Sequence, residues 1–210
     1  MKKHLSWAIL IVLFGFAFSA WAYQLLPESI AIHWNAQGTS DGYGGRGFVF
    51  LMPAVSLLMV ALLWSIPSID PRKKNVEKFR DTYDRFILVF AGFMTYLGML
   101  TIAANLGWIE NIAAYMAPAL GALLYTAGSL MEKSRSSWFI GVRTPWTLSS
   151  ETVWEKTNKL GGRTLKYIAL LMAIGMIFLP KMLLALIVII LAWAIGIMAY
   201  SYFAWKQENN

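Results

Sequence analysis

Phe86 to Leu106 reads FILVFAGFMTYLGMLTIAANL, twenty-one residues without a charge. As a helix it would rise about 31 Å, the thickness of a bilayer's hydrocarbon core. Four further runs have the same character: Leu5 to Ala22, Phe48 to Ile66, Ile112 to Met131 and Met182 to Ala204. A sixth, Tyr167 to Leu179, is short and spans only by borrowing Thr164 to Lys166, whose lysine would snorkel toward the headgroups. Pro180-Lys181 would then turn it into the last run. With 58% hydrophobic residues, 14% charged residues and a mean hydropathy of +0.56, the chain lies outside the range of soluble globular domains. The sequence therefore predicts an all-α, polytopic helical membrane protein with six transmembrane helices.

Short loops rich in lysine and arginine stay on the cytoplasmic side. Placing the amino terminus inside puts Met1 to His4, Pro67 to Arg85, Glu132 to Lys166 and the tail after Ala204 there, and leaves only Arg46 and Lys181 of the 18 basic residues outside. Both termini are expected in the cytoplasm. The net charge of +7 then reflects orientation, and Arg72-Lys73-Lys74 reads as a contact with anionic headgroups rather than with nucleic acid. The first run also has the form of a secretory signal, ending in Ala20-Trp21-Ala22. The bulky Trp21, the length of the run and five further spans favour its retention as the first helix. The absence of cysteine excludes disulfide and thiol chemistry.

Three parts are expected. Residues 1–66 form a two-helix module with an outer loop over 23–47. Residues 67–85 form a basic amphipathic connector, in which Val76, Phe79, Tyr83 and Phe86 recur at helical spacing and predict a helix lying along the inner leaflet, facing lipid. Residues 86–210 form a four-helix module with a cytoplasmic loop over 132–166. In its fourth span Ala117 and Gly121 make a small-xxx-small pair around Pro118, and Pro53 interrupts the second span.

The outer loop reads YQLLPESIAIHWNAQGTSDGYGGRG. Ile30, Ile32 and Trp34 alternate with polar or small residues and predict a short strand, followed by turn clusters at Asn35 to Gly38 and Ser40 to Gly42. Pro27, His33, Trp34, Asn35, Gly38 and Asp41 are its candidate site residues, and a plain cap over the helix ends is the competing reading. His33 has no second histidine nearby, so no metal centre is expected.

None of the five long runs contains Asp, Glu, Lys, Arg or His, whereas proton-coupled carriers usually need buried ionisable relays. The two histidines, His4 and His33, fall on opposite faces with no nucleophile beside them, which argues against an enzyme. The chemistry concentrates instead in Trp138 to Gly162, WFIGVRTPWTLSSETVWEKTNKLGG. Gly141 permits an unusual backbone angle, and Thr144 precedes a proline and is biased to extended geometry. Ser149 or Ser150 can cap a helix with Glu151 in its first turn, ending or kinking at Gly161-Gly162. Trp154, Thr157 and Asn158 share one face of that helix. An interfacial linker accounts for such a segment. The sharper reading is a site in which Arg143, Thr144, Trp146, Trp154 and Asn158 fold together and the arginine is held by hydrogen bonds rather than by lipid.

GVRTPWTLSSETVWEKTNKLGG resembles the characteristic segment of the SdpI-type immunity protein family, a Gly-x-Arg-Thr-Pro-Trp-Thr-Leu run followed by Val-Trp-x-x-Thr-His. LPESIAIHWNAQGTSDGYG resembles the DUF1648-type module often joined to it. Carried over residue by residue, the motif comprises Arg143, Thr144, Pro145, Trp146, Thr147, Trp154, Thr157, Asn158 and Gly162, with Asn158 standing where the family commonly has histidine. The resemblance implies a bacterial protein, without cofactor or enzymatic activity, that gives immunity to a secreted membrane-active peptide toxin and signals to a cytoplasmic transcriptional repressor. Its expected partners are membrane lipids, the toxin and that repressor, with no direct nucleic acid. The alternative is a small-molecule or lipid carrier using Arg143 as an anion site, which predicts a polar cavity contiguous with that arginine.

Overall fold

The computed structural model describes residues 2–35, 38–178 and 183–209, so the expected turn at Pro180-Lys181 lies outside the described residues. Helix α1 (Lys2–Tyr23) leads into a hairpin of β1 (Ser29–Trp34) and β2 (Ser40–Gly45), then a 3-10 turn (Arg46–Phe50) and α2 (Leu51–Ile69). A short α3 (Lys73–Glu77) precedes α4 (Arg80–Asn105) and α5 (Ile112–Lys133). One-turn α6 (Pro145–Ser149), then α7 (Glu151–Phe178) and α8 (Leu183–Glu208), complete the chain. Five of these helices, α1, α2, α4, α5 and α8, are long and apolar enough to cross a membrane. The protein is a helical membrane protein bearing, among the described residues, one small β-hairpin, so the all-α class holds for the helical body and not for the 23–47 loop.

The bundle has two ends. At one, Ala22, Leu26, Ile30, Val49 and Ile102 bury together and seat the hairpin on α1 and α4. The strands pair antiparallel from Ser29 opposite Gly45 to Trp34 opposite Ser40. Asn105, near the end of α4, pins β1: its Oδ1 accepts from Ala31 N at 2.7 Å and its Nδ2 donates to Ala31 O at 2.9 Å. Asn105→Leu removes both bonds and leaves part-buried backbone groups unpaired, at about 1–3 kcal/mol each. Amide hydrogen exchange at Ala31 is expected to accelerate while the spans stay protected.

At the other end Ala8, Val12, Val60, Val76, Phe79, Tyr83, Ile87, Ala91, Leu130 and Ile140 form the main core. This corrects the connector. Val76, Phe79 and Tyr83 have the predicted spacing, but their stripe faces α1, α2 and the 134–150 loop, not lipid, and Tyr83 donates to Leu63 O at 2.6 Å. Periodicity identified the apolar face; protein, not bilayer, covers it. Arg80 and Asp84 are paired at 2.7 Å at the start of α4, with Arg80 4.6 Å from the Trp64 ring centroid. Pro53 sits in the first turn of α2, where a missing N–H costs nothing, and the helix runs on through Pro67 to Ile69.

A second correction concerns Gly161-Gly162. The helix does not stop there; α7 continues to Phe178. Glycine costs a helix about 1 kcal/mol relative to alanine, yet here the bare backbone lets α5 and α7 touch. A Cβ on Gly162 would lie 2.4 Å from Gly128 O and 2.7 Å from Glu132 N. Farther along the same crossing, Gly121 meets Ala169 O and Ala173. The small-residue track on α5 thus has its partner in α7.

Candidate functional site

The 134–150 loop hangs from the end of α5 and is folded by its own side chains. Ser137 Oγ donates to Ile140 O at 2.9 Å, closing a turn that buries Ile140 in the main core. Gly141 follows with φ +100°, a left-handed angle that a side chain resists, and a Cβ there would strike Asn158 Oδ1 at 2.6 Å. Asn158 Oδ1 accepts from Val142 N at 2.7 Å, and its Nδ2 donates to Trp154 O at 3.2 Å. Trp154, fully buried, donates its indole N–H to Ser134 O at 3.2 Å. Two positions of α7 thereby hold the start and the middle of the loop.

Thr144 is the N-cap of α6, with extended backbone as its proline neighbour requires. Its Oγ1 accepts from Thr147 N, and Thr147 Oγ1 accepts from Thr144 N at 2.8 Å, a reciprocal capping box. Thr147 Oγ1 donates to Val142 O at 2.9 Å. The same turn docks on α8: Thr144 Oγ1 lies 3.0 Å from Ser201 Oγ, the Trp146 ring meets Tyr202 edge-on at 5.2 Å, and Ser150 Oγ donates to Glu208 at 2.7 Å.

A third set of contacts comes from residues that sequence reasoning did not select. Asp70, buried between α2 and α3, accepts from Arg72 N at 2.7 Å and from Trp138 N at 2.9 Å. The Arg72 guanidinium donates to Ser136 Oγ and, at 3.1 Å, to Leu148 O, while Asn75 Nδ2 donates to Ser136 O at 2.9 Å. Arg72 therefore binds protein, not headgroups, and with Asp70 and Asn75 it ties the loop to the α2–α3 turn. The one available signal was an acidic residue two positions before the basic run.

Among the sequence-selected residues, Thr144, Thr147, Trp154, Thr157 and Asn158 come together and are buried. Pro145 heads α6 and is exposed, Trp146 packs on α8, and Gly162 sits in the α5–α7 contact. The Thr157 hydroxyl is buried without a partner among the described residues. Arg143 does not join them: it is exposed, donating to Trp138 O at 2.6 Å. The large cleft at this end, about 590 Å³, is lined by charges of both signs including Glu77, Lys78, Lys133, Arg135 and Glu155, and not by Arg143. The polar cavity that a carrier would build on Arg143 is therefore not among the cavities described.

At the opposite end, exposed His33 Nδ1 lies 2.5 Å from Asp41 Oδ1 across the hairpin, and half-buried Asn35 Oδ1 accepts from Thr39 N at 3.0 Å. Gly38, at φ +80°, donates its N–H to Asn35 O at 2.9 Å. Exposed Pro27 precedes β1, and Trp34 closes it, half-buried. Arg46 stacks over Tyr23 at 4.7 Å.

The buried Asn158 amide makes a specific prediction about the histidine it replaces. A neutral imidazole in Asn158→His can still accept from Val142 N, but a protonated one has no acceptor. The folded state then binds the proton less readily than the unfolded chain, so stability falls as pH drops through about 6.5. Melting of Asn158→His should be lower at pH 5.5 than at pH 7.5 beyond any shift in the parent chain.

Together these contacts define a class: a multi-pass helical membrane protein whose polar motif packs between the α2–α3 turn, α7 and α8. The profile of the SdpI/YfhL protein family matches residues 133–201, and a domain of unknown function, DUF1648, matches residues 10–57. The chain is also similar throughout to the immunity protein SdpI of Bacillus subtilis (strain 168), 28% identical over 212 residues, covering 100% of this chain and 99% of that protein. No solved structure matches it.

Proposed function

We propose that this chain is a non-enzymatic membrane protein that gives its cell immunity to a secreted, membrane-active peptide toxin. The full-length similarity to an immunity protein carries this reading. The geometry supports it: the motif's hydrogen-bonding groups are spent almost entirely on one another and on Asp70, Arg72, Ser201 and Glu208, which builds a joint rather than a reaction centre. In this reading the protein sits in the bacterial cytoplasmic membrane with the hairpin outside and both termini inside. The apolar part of α7, from Tyr167 on and borrowing Thr164 to Lys166, serves as a short sixth span. The toxin meets the hairpin or the helices around it, and the joint relays that encounter to the inner face. There, exposed Trp138, Phe139 and Arg143 offer a surface to a cytoplasmic repressor.

Expression in a sensitive cell challenged with a panel of membrane-active peptides tests the proposal, and unchanged killing across the panel would remove it. Arg143→Ala separates signalling from folding. Because Arg143 is exposed, its loss should change stability by less than about 0.5 kcal/mol. Repressor recruitment to the membrane is expected to fall in the same variant, read by fractionating a tagged repressor.

A further inference from the structure

One cluster of charges lies outside the joint, on the flank of the α5–α7 pair. Glu132 of α5 accepts from Arg163 Nε at 3.0 Å and from Lys166 Nζ, both on α7. Two cations against one carboxylate leave a positive charge. Lys166 also lies over the Tyr125 ring, 5.8 Å from its centroid. These four residues, with Tyr167 and Leu170, line a cavity of about 230 Å³. A plain ion pair needs little of this. Arg163 is 56% exposed and commits only Nε; among the described residues its two Nη groups and the Tyr125 and Tyr167 hydroxyls have no hydrogen-bond partner.

The position selects the occupant. Polar residues dominate α7 from Glu151 to Lys166, and from Tyr167 onward it is almost wholly apolar. The cavity lies at that change, the level at which tyrosines and snorkelling lysines meet headgroups. Beyond it, exposed Leu170, Leu171 and Ile174 continue along α7. We infer that this cavity is a binding site for the phosphate of an anionic phospholipid headgroup, held by Arg163, Lys166 and the two tyrosine hydroxyls, with an acyl chain lying along Leu170 and Ile174. Basic pockets between spanning helices suit such headgroups, and a guanidinium with both Nη groups free suits phosphate.

The test uses the full-length protein, purified from mixed vesicles and read by native mass spectrometry for retained lipid. Three preparations are compared: phosphatidylcholine alone, phosphatidylcholine with phosphatidylglycerol, and phosphatidylcholine with inorganic phosphate in the buffer. Phosphatidylglycerol should be retained in preference to phosphatidylcholine. Arg163→Gln is expected to reduce that retention about five-fold, and Arg163→Gln with Lys166→Gln about thirty-fold. Glu132→Gln removes the competing carboxylate and should raise retention, an effect in the opposite direction that misfolding cannot mimic. If the double variant does not fold, Arg163→Gln, on an exposed side chain, decides alone. Equal retention of the two lipids, or retention unchanged in Arg163→Gln, would overturn the site. A phosphate adduct in the third preparation that is lost in Arg163→Gln would reassign the cavity to a soluble anion and overturn the lipid assignment.

Discussion

Gly162→Ala should lower stability by about 3 kcal/mol, one of the largest effects available to a single methyl group in this chain. The added Cβ meets Gly128 O at 2.4 Å and Glu132 N at 2.7 Å, both backbone atoms that no rotamer change can move. The α5 and α7 backbones must separate, and the interhelical contact that offsets the helical cost of glycine is lost along the track from Gly128 to Gly121. For a chain of this size the melting temperature in detergent is expected to drop by roughly 6–12 °C. Gly128→Ala strikes the same contact from the other side, 2.7 Å from Gly162 O, so the two substitutions together should cost less than their sum. Gly196→Ala on α8 is the control: nothing lies within 4 Å of its Cβ, and it should be neutral or stabilising by up to about 1 kcal/mol. A Gly162→Ala melt within error of the parent would mean that α5 and α7 do not touch there.

Asp70→Ala is expected to have an effect of similar size, through polar groups rather than packing. Asp70 is 2% exposed, and its carboxylate is the acceptor for both Arg72 N and Trp138 N. Its removal leaves two N–H groups without partners and loosens the turn that presents Arg72 to Ser136 and Leu148, at about 3 kcal/mol in total. Asp70→Asn keeps one acceptor oxygen but turns an NH2 toward the other N–H, so it should cost at least half as much. The comparison also bears on function. If the loop relays a state between the modules, both variants should lose protection in the peptide challenge in proportion to the exposure of Trp138, followed by tryptophan quenching from the aqueous phase. Full protection by Asp70→Ala with a loosened loop would show that the joint only holds the fold together.

Much of this was legible in the sequence because bilayer physics is local. An uncharged run long enough to cross hydrocarbon must form a helix to satisfy its backbone, and this holds for Phe86 to Leu106 without knowledge of any neighbour. The strand at Ile30 to Trp34, the extended Thr144 before Pro145 and the shared face of Trp154, Thr157 and Asn158 follow equally from short-range geometry. Where the reading failed, a distant partner decided. Gly161-Gly162 looks like a helix end because its cost is local, while the compensation comes from Gly128, more than thirty residues away. Val76, Phe79 and Tyr83 show an apolar stripe that lipid or protein would fill equally well. Arg72, inside a basic run, has the look of a headgroup ligand, and its acceptors at Ser136 and Leu148 lie 64 and 76 positions downstream.

The sequence by itself determined that this is a membrane protein, where five candidate spans lie, and which segment carries the polar motif, because hydrophobicity and backbone bias act within a few residues. Only the tertiary structure decided that Arg143 stands outside the motif's buried cluster, that Asp70, Arg72 and Asn75 complete it, and that bare glycine backbone joins α5 to α7. Each of those depends on two stretches of chain meeting at hydrogen-bond or van der Waals distance, and that meeting is a property of the packed bundle, not of any one stretch.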